Sequence, residues 1–345
     1  MSRDITLSDI ADRLGVTKVT VSKSLRDHSD ISMSTKERVR ETAQEMGYQH
    51  NRLAQSLTLG RTLTIGVIIP KISHTFFSQV LDGINKIAAE NDYEIILCVS
   101  EEQEEKEKAY LQTLLSMQVD GLLVSVSEET SDPEPFQEVT DQNVPLVFFD
   151  RGLDDIDASS VTVDDWEGAY EAVTHAIENG NEQIAHIAGY SHIQIGHQRR
   201  LGYEDALRDH DRPVHDELIV EGGFGEEDGY AAGKTLLESG TVPDAIFAVT
   251  FPVALGVEDR IREIDSSILK DIQFYSFGQH DLNRFFRYPH ISVYQPTRRL
   301  GKKATNLLLH EIENPSASTT EIELSTRIAI PEEPHTLPYL QGNKG

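Results

Sequence analysis

Short apolar runs rich in β-branched residues alternate with helical patterns from residue 63 onward. Strands that are apolar along their whole length need cover on both faces, so this alternation predicts parallel sheets with helices on each side. The runs form two series, which predicts a core of two doubly wound lobes with a ligand cleft beyond the carboxyl ends of the strands. The eight runs are 63–69, 94–99, 121–126, 145–149, 183–188, 217–220, 245–249 and 272–276.

A different pattern at the N-terminus predicts two short helices around a tight turn. Thr6 with Asp9 is placed to cap the first helix, Gly15 permits the reversal, and Thr17 is placed to cap the second helix. This is the pattern of a helix-turn-helix whose second helix reads the DNA major groove, although an ordinary helical hairpin has the same spacing. The predicted inner face comprises Leu7, Ile10, Ala11, Leu14, Val21 and Leu25, and the predicted outer face comprises Thr17, Lys18, Val19 and Lys23.

A third helix completes the predicted all-α head over residues 1–50. Ser32 is placed to cap this helix and Gly47 to end it, with a buried stripe between them. Residues 51–62 have helix-forming composition over only about two turns, too short to be stable alone in water. They are either a plain linker or a hinge that folds on DNA with Leu57 as a minor-groove wedge. The buried stripe of the third helix consists of Val39, Ala43 and Met46. After the hinge, we expect a core over residues 63–331 and a polar tail over residues 332–345.

The formal charge of −27 is unexpected for a DNA-binding protein, because phosphate binding depends on Lys and Arg. Residues 1–60 nevertheless hold nine Lys/Arg against eight Asp/Glu, so the acidic excess lies outside the proposed head. A single cysteine, Cys98, excludes an internal disulfide framework and fits a reducing compartment. The N-terminus lacks an apolar signal segment, and no run is long enough to span a bilayer. We therefore expect a cytoplasmic protein without membrane contact.

The order of these parts resembles the LacI/GalR family of bacterial transcriptional regulators over nearly the whole chain. The stretches that carry the resemblance include DIADRLGVTKVTVS at 9–22 and PLVFFDR at 145–151. The resemblance implies a helix-turn-helix head on a periplasmic-binding-protein-like core that forms a homodimer and binds a small effector between its lobes. The other matching stretches are 47–57, 64–70, 119–124, 199–207, 243–248 and 294–296.

The same resemblance implies a set of DNA contacts on a near-palindromic operator. The family places the second helix in the major groove, and its base-facing positions match Thr17, Lys18, Val19 and Lys23 here. Lys23 stands where the family commonly has Arg, and lysine lacks the bidentate fork that recognises guanine. Phosphate contacts are implied for Thr20, Ser22 and Asn51, and insertion at the operator centre for Leu57.

Effector-cleft residues are carried over from the family in the same way. A carboxylate, guanidinium groups and an aromatic face suit a sugar, because they bind paired hydroxyls and cover the apolar side of a ring. Phe76 is equally compatible with the core, and an internal ion pair is an alternative interpretation of Asp150 with Arg151. The implied set is Phe76, Phe77, Ser125, Asp150 and Arg151 from the first lobe, with His192, Arg199, Phe224, Thr250, Phe251, Gly278 and Gln279 from the second.

Two departures from the family pattern affect the expected ligand. Thr250-Phe251 stands where sugar-binding members usually have Asn-Asp, and Gln279 follows Gly278 where an aspartate is usual. Loss of these acids is expected to leave Arg151 and Arg199 less compensated, so we expect a sugar or an anionic derivative such as a sugar phosphate. Phe251 also permits a cleft that binds no small molecule.

Other functional classes fit less well. A solute-binding protein would need an export signal and would lack the head, although a sugar-binding protein or a regulator that responds to a protein corepressor remains open. Motifs for metal, phosphate-loop or nucleophilic enzymes do not occur, so we expect no enzyme activity, cofactor or metal. The acidic run at 101–105 is expected to be the solvated start of a helix.

Overall fold

The computed structural model describes residues 5–25, 27–48, 60–73, 75–238, 242–278 and 280–331. The chain divides into two compact units, Met1–Thr62 and Leu63–Gly345. The tail expected over residues 332–345 lies outside the described residues. Each unit has its own hydrophobic core, as expected for a separate domain.

The described part of the N-terminal unit contains three helices, α1 (Leu7–Leu14), α2 (Lys18–Leu25) and α3 (Met33–Glu45). The predicted caps are confirmed: Thr6 and Asp9 form a reciprocal capping box on α1, and Ser32 accepts from the Thr35 amide at the start of α3. Gly15 adopts a left-handed conformation with φ of 66°, which makes the tight turn possible. The buried core of this unit consists of Ile10, Ala11, Val21, Val39 and Ala43.

The larger unit contains twelve strands among its described residues. Strands β1 to β12 are Thr64–Ile69, Glu94–Val99, Gly121–Val124, Leu146–Phe149, Ser159–Val163, Ile184–Ala188, Ile219–Glu221, Ala245–Ala248, Gln273–Phe277, Ile291–Tyr294, Glu321–Leu324 and Arg327–Ala329. Helices α4 to α11 are Thr75–Glu90, Glu104–Ser116, Glu134–Asp141, Asp165–Glu178, Gln194–Asp209, Glu226–Glu238, Phe251–Asp265 and Thr297–Glu313. Three short 3₁₀ segments complete it: Asp216–Leu218, Ile268–Asp271 and Asp281–Phe285.

The strands form two six-stranded sheets, which confirms the predicted bilobed α/β core. The first-lobe sheet has the order β11-β5-β4-β3-β1-β2 and is parallel throughout, whereas the second-lobe sheet has the order β12-β10-β9-β8-β6-β7. Strand β12 runs antiparallel to β10, which corrects the expectation of two purely parallel sheets. An antiparallel strand is accommodated here because it occupies a sheet edge.

The two lobes are not two simple tandem halves, as the sequence pattern indicated. After β10 the chain returns to the first lobe, where α11 packs against α4 and β11 pairs with β5. It then crosses again to add β12 to the second lobe. The lobes are therefore joined at three chain crossings, at 164, 295–296 and 325–326. No helix in the described part of the chain has both the length and the apolar character needed to cross a bilayer.

Candidate DNA-reading helix and effector cavity

The outer face of α2 carries polar and apolar side chains that the fold leaves accessible. Thr17, Lys18 and Val19 are exposed, and Val19 is 63% exposed although it is apolar. The Thr17 hydroxyl accepts from the Thr20 amide at 3.1 Å and lies 2.9 Å from the Thr20 hydroxyl, so this pair caps the helix. Ser22 is half-buried. The face can therefore present a methyl-bearing surface and a lysine to the edges of bases.

Lys23, near the end of α2, is held by a carboxylate within the head. Its ammonium group lies 2.6 Å from Asp30 Oδ2, and both side chains remain substantially exposed. The His28 ring also contacts Asp30. Asn51 and Leu57, the other residues expected to contact DNA, lie outside the described residues.

A cavity of about 910 Å³ lies between the two lobes of the core. Its walls come from the segments that follow β1, β4, β8 and β9 and from the first turns of α4, α9, α10 and α11. This placement follows from the topology, because the carboxyl ends of parallel strands meet at one edge of each sheet. Such a volume accommodates a drug-sized or disaccharide-sized ligand.

Arg199, on α8, is locked within the second lobe. Its Nε and Nη2 donate to Asp165 Oδ1 at 2.8 and 2.6 Å, and its Nη1 donates to the Val249 carbonyl at 2.5 Å. The guanidinium also lies over the Phe277 ring, 3.7 Å from the ring centroid. Both members of the ion pair are almost fully buried. Arg199 therefore presents a fixed, charge-compensated surface to the cavity.

Arg151, which follows β4, is held differently and reaches across the cleft. Its Nη1 donates to Glu102 Oε2 at 2.9 Å within the first lobe. Its guanidinium then lies over the ring of Phe224 in the second lobe, 4.7 Å from the centroid. The Nε atom is buried and has no hydrogen-bond partner among the described residues. It lies 3.8 Å from Asp150 Oδ2, so Arg151 and Asp150 form the internal ion pair that the sequence allowed.

Asp150 lies between these two arginines and is buried in the cavity wall. Burial raises the pKa of its carboxyl to about 6, against the opposing effect of the Arg151 charge. Its Oδ2 accepts from the Ser125 hydroxyl at 3.3 Å. Asp150 also has a φ of 64°, the left-handed region that non-glycine residues rarely adopt. This strained backbone places the carboxyl group at the end of β4, facing the cavity.

Phe251 forms an aromatic wall with its neighbours. Its ring stacks on His280 with centroids 5.5 Å apart and on Phe286 with centroids 6.1 Å apart. Thr250 caps α10 by accepting from the Val253 amide, and its hydroxyl donates to the Phe224 carbonyl at 2.9 Å. The residues that replace the family's Asn-Asp therefore cap a helix and build an apolar surface.

The structure brings most of the predicted cleft residues to one cavity. Phe77 lines the cavity but also belongs to the first-lobe core, and Phe76 is half-buried against the same core. Ser125 is fully buried and reaches the cavity only through Asp150, while His192 is exposed and bonds the Glu128 carbonyl. Gln279 lies outside the described residues. The predicted residues that line the cavity are Phe76, Phe77, Asp150, Arg151, Arg199, Phe224, Thr250, Phe251 and Gly278.

Two expectations about charge were wrong. The arginines are not under-compensated, because Glu102 pairs with Arg151 and Asp165 pairs with Arg199. The acidic run at 101–105 is not simply a solvated helix start, because Glu102 within it is buried. Helix α5 begins only at Glu104, and the turn before it directs Glu102 inward with a φ of 62°.

Sequence reasoning also missed the partners of the two arginines and several residues that line the cavity. Asp165 and Glu102, the arginine partners, gave no signal, because acids near helix starts are common on protein surfaces. Tyr294 and Gln295 did lie in a stretch that matched the family, at the second lobe crossing, and could have been included. The additional polar lining residues are Lys71, Ser73, Thr75, Gln79, Glu226, Glu227, Asp228, Tyr230, Asp259, His280, Tyr294, Gln295 and Thr297.

Comparison with known proteins matches both units. Residues 6–51 match the family described as bacterial regulatory proteins, lacI family, and residues 62–340 match the periplasmic binding proteins and sugar binding domain of the LacI family. The chain belongs to the LacI family. It is therefore a DNA-binding transcriptional regulator under effector control, as the sequence predicted, and not an enzyme.

Individual members of the LacI family match along nearly the full length of the chain. Catabolite control protein A of Priestia megaterium is 32% identical over 94% of this chain and 98% of its own. The transcriptional repressor PurR of Vibrio atlanticus is 30% identical over 94% of this chain and 96% of its own. The complex of the regulator CelR with cellobiose superposes with a TM-score of 0.72 at 25% identity, covering 94% of this chain and 98% of the other.

Proposed function

We propose that this protein is a homodimeric repressor that binds a near-palindromic operator and responds to a neutral sugar bound between the core lobes. The observation that carries the proposal is the cavity of about 910 Å³ walled by both lobes. Its polar groups and aromatic rings converge as a carbohydrate requires, with guanidinium and carboxylate groups near Phe224. CelR, which matches this chain, is described as a complex with cellobiose.

Neutral sugars are favoured over phosphorylated ones by the charge of the cavity. Both arginines already have buried carboxylate partners. The lining adds further acids at the start of α9, Glu226, Glu227 and Asp228, against Lys71. A phosphate group would find both arginines already paired and would meet these carboxylates. Hydroxyl groups instead suit the acceptor carboxylates that line the cavity.

The DNA-binding half of the proposal rests on the exposed face of α2. Val19 suits a thymine methyl, and Thr17, Lys18 and Lys23 stand at base-facing positions, where the lysines suit guanine or phosphate. Thr20, Ser22 and Asn51 suit phosphate contacts. Leu57 is proposed as the wedge at the operator centre, within a hinge that folds on DNA. Effector binding changes operator affinity through the order of this hinge. The protein acts in the cytoplasm, where the chromosome is accessible.

Selection from a randomised palindromic DNA library tests the operator proposal. Purified protein should enrich one near-palindromic sequence and bind it as a dimer in gel retardation, with affinity that falls steeply as salt rises. Leu57→Ala should weaken binding to that sequence at least tenfold. Unchanged affinity of this variant would remove the wedge role, and failure to enrich any sequence would overturn the operator proposal.

Calorimetry with matched sugars tests the effector proposal. Ribose, glucose and cellobiose should be compared with ribose 5-phosphate, glucose 6-phosphate and cellobionate. At least one neutral sugar should bind and shift operator affinity, and its anionic counterpart should bind more weakly. Tighter binding of an anionic sugar than of its neutral counterpart would contradict the proposal. Absence of binding by every sugar in a broad neutral panel would contradict it as well.

A further inference from the structure

We propose that Glu102 sets the charge selectivity of the cavity by neutralising Arg151. Glu102 does not itself line the cavity, so it acts through Arg151 as a positioning residue. This inference rests on the proposed effector site, and it concerns which charge that site accepts. Glu102 lies outside every stretch of the chain that resembles the family.

Glu102 is held rigidly in the wall of the first lobe. Its residue is 5% exposed, and its Oε2 accepts from the Glu128 amide at 2.8 Å as well as from Arg151 Nη1. The preceding turn is closed by the bond from the Gln103 amide to the Ser100 carbonyl. A carboxylate with a fixed backbone donor and a fixed guanidinium partner has little freedom to move away.

The pair has two consequences for a ligand. The charge of Arg151 is cancelled within 2.9 Å in a buried setting, where electrostatic interactions are poorly screened. The direction of the guanidinium is also fixed, because it stacks on Phe224 and its Nε lies 3.8 Å from Asp150 Oδ2. Arg151 therefore has little net attraction for an anion.

Arg199 explains why Glu102 and not Asp165 is the selective group. Nη1 of Arg199 donates to the Val249 carbonyl and its guanidinium lies over the Phe277 ring, so these contacts would hold Arg199 in place even without Asp165. Arg151 Nη1 donates to Glu102, whereas its Nε makes no hydrogen bond to the described residues and lies 3.8 Å from Asp150 Oδ2. Removing the Glu102 charge would thus leave Arg151 without its hydrogen-bonded carboxylate, so that the guanidinium could turn toward an anion.

The Glu102→Gln variant tests this inference, with inorganic phosphate as the anion probe. Glutamine keeps the shape and can still accept from the Glu128 amide, but it removes the negative charge. Phosphate titrations followed by calorimetry should show at least tenfold tighter phosphate binding in Glu102→Gln than in the wild type. Glu105→Gln, a change within the same acidic run, is the matched control and should leave phosphate affinity unchanged.

A double variant separates charge selectivity from general disturbance of the cavity. Glu102→Gln/Arg151→Met should lose the gain in phosphate binding, because the gain acts through Arg151. Equal phosphate affinity in wild type and folded Glu102→Gln protein would overturn the inference, as would a gain that survives in the double variant.

The wild-type protein provides a test that does not depend on the stability of any variant. It should bind each neutral sugar more tightly than the matched anionic one, and a reversed preference would overturn the inference. Should no sugar of either kind bind, the effector proposal fails, whereas the phosphate comparison still decides the role of Glu102.

Discussion

The head and the core of this protein use charged residues in opposite ways. In the head, pairs such as Lys23–Asp30 and Arg13–Glu45 leave at least 40% of each side chain exposed. In the core, Arg199–Asp165 and Arg151–Glu102 leave less than a tenth of each side chain exposed. Exposed pairs contribute little to stability, whereas breaking a buried pair is costly. Charge changes in the exposed pairs of the head should therefore alter binding, and those in the buried pairs of the core should alter stability first.

The largest effect is expected for Arg199→Met. The substitution leaves Asp165 buried without its partner and removes the donor to the Val249 carbonyl. Unpaired buried charges of this kind typically cost about 3–5 kcal/mol, so the free energy of unfolding should fall by roughly that amount. Chemical denaturation followed by circular dichroism measures the change.

Arg200→Met is the matched control for that variant. Arg200 is the next residue on α8, but it is about one third exposed and pairs with Glu204 four residues later. Loss of this pair should lower the free energy of unfolding by about 0.5 kcal/mol or less. Similar losses for the two variants would break the contrast between buried and exposed pairs.

The next effect concerns pH and Asp150. Because the pKa of its carboxyl is raised from 3.8 to about 6 in the folded protein, the folded state binds the proton more tightly than the unfolded state. The contribution of Asp150 to the free energy of unfolding is therefore greatest at low pH and falls as pH rises from about 4 to about 7. The total change is roughly 3 kcal/mol at about 1.4 kcal/mol per pKa unit.

Asp150→Asn should remove this pH dependence. Asparagine tolerates the left-handed backbone at φ of 64°, so the change isolates the titration. The difference in unfolding free energy between wild type and variant should shift in favour of the variant between pH 4 and pH 7. A constant difference across that range would show that Asp150 is ionised throughout.

The sequence predicted the fold well because both units depend on local patterns. Capping residues such as Thr6 and Ser32 and the apolar strand runs act within a few residues of chain, so their spacing is visible in the sequence. The return of α11 and β11 to the first lobe was not visible. It depends on packing between α4 and α11, more than 200 residues apart in the chain.

The site was less predictable than the fold for a related reason. Arg151 and Arg199 were found because they lie in stretches that resemble the family. Their partners Glu102 and Asp165 are 49 and 34 residues away in sequence, respectively. Charge compensation over such separations depends on tertiary structure, so the sequence left both a sugar and an anionic derivative open, and the pairing of both arginines supports our proposal of a neutral sugar.

A smaller effect is expected where Phe224 meets the backbone of Gly189. A Cβ added at Gly189 would lie 2.3 Å from Cε1 of the Phe224 ring, so Gly189→Ala should displace the ring and weaken its contact with Arg151. Overpacking of this kind costs about 1–3 kcal/mol. Gly222→Ala is the control, because its nearest neighbour would be Asp228 Cβ at 3.8 Å. Equal melting temperatures for the two variants would contradict the close contact.

The smallest effect on stability, and the sharpest test of the contrast, is expected for Lys23→Met. Its ion pair with Asp30 is exposed, so the unfolding free energy should change by less than about 0.5 kcal/mol. Operator affinity should nevertheless fall about tenfold, since one base or phosphate contact is typically worth about 1–3 kcal/mol. Gel retardation on the selected operator measures this loss.

Lys234→Met is the matched control for Lys23→Met. Lys234 is an exposed lysine of the core whose ammonium group lies 3.8 Å from Glu238. Both variants remove one positive charge from an exposed pair, so long-range attraction to DNA falls by the same net charge in each. A larger loss for the Lys23 variant would therefore show that its charge acts close to the DNA. Equal weakening by the two variants would mean that Lys23 contributes net charge alone and does not read the operator.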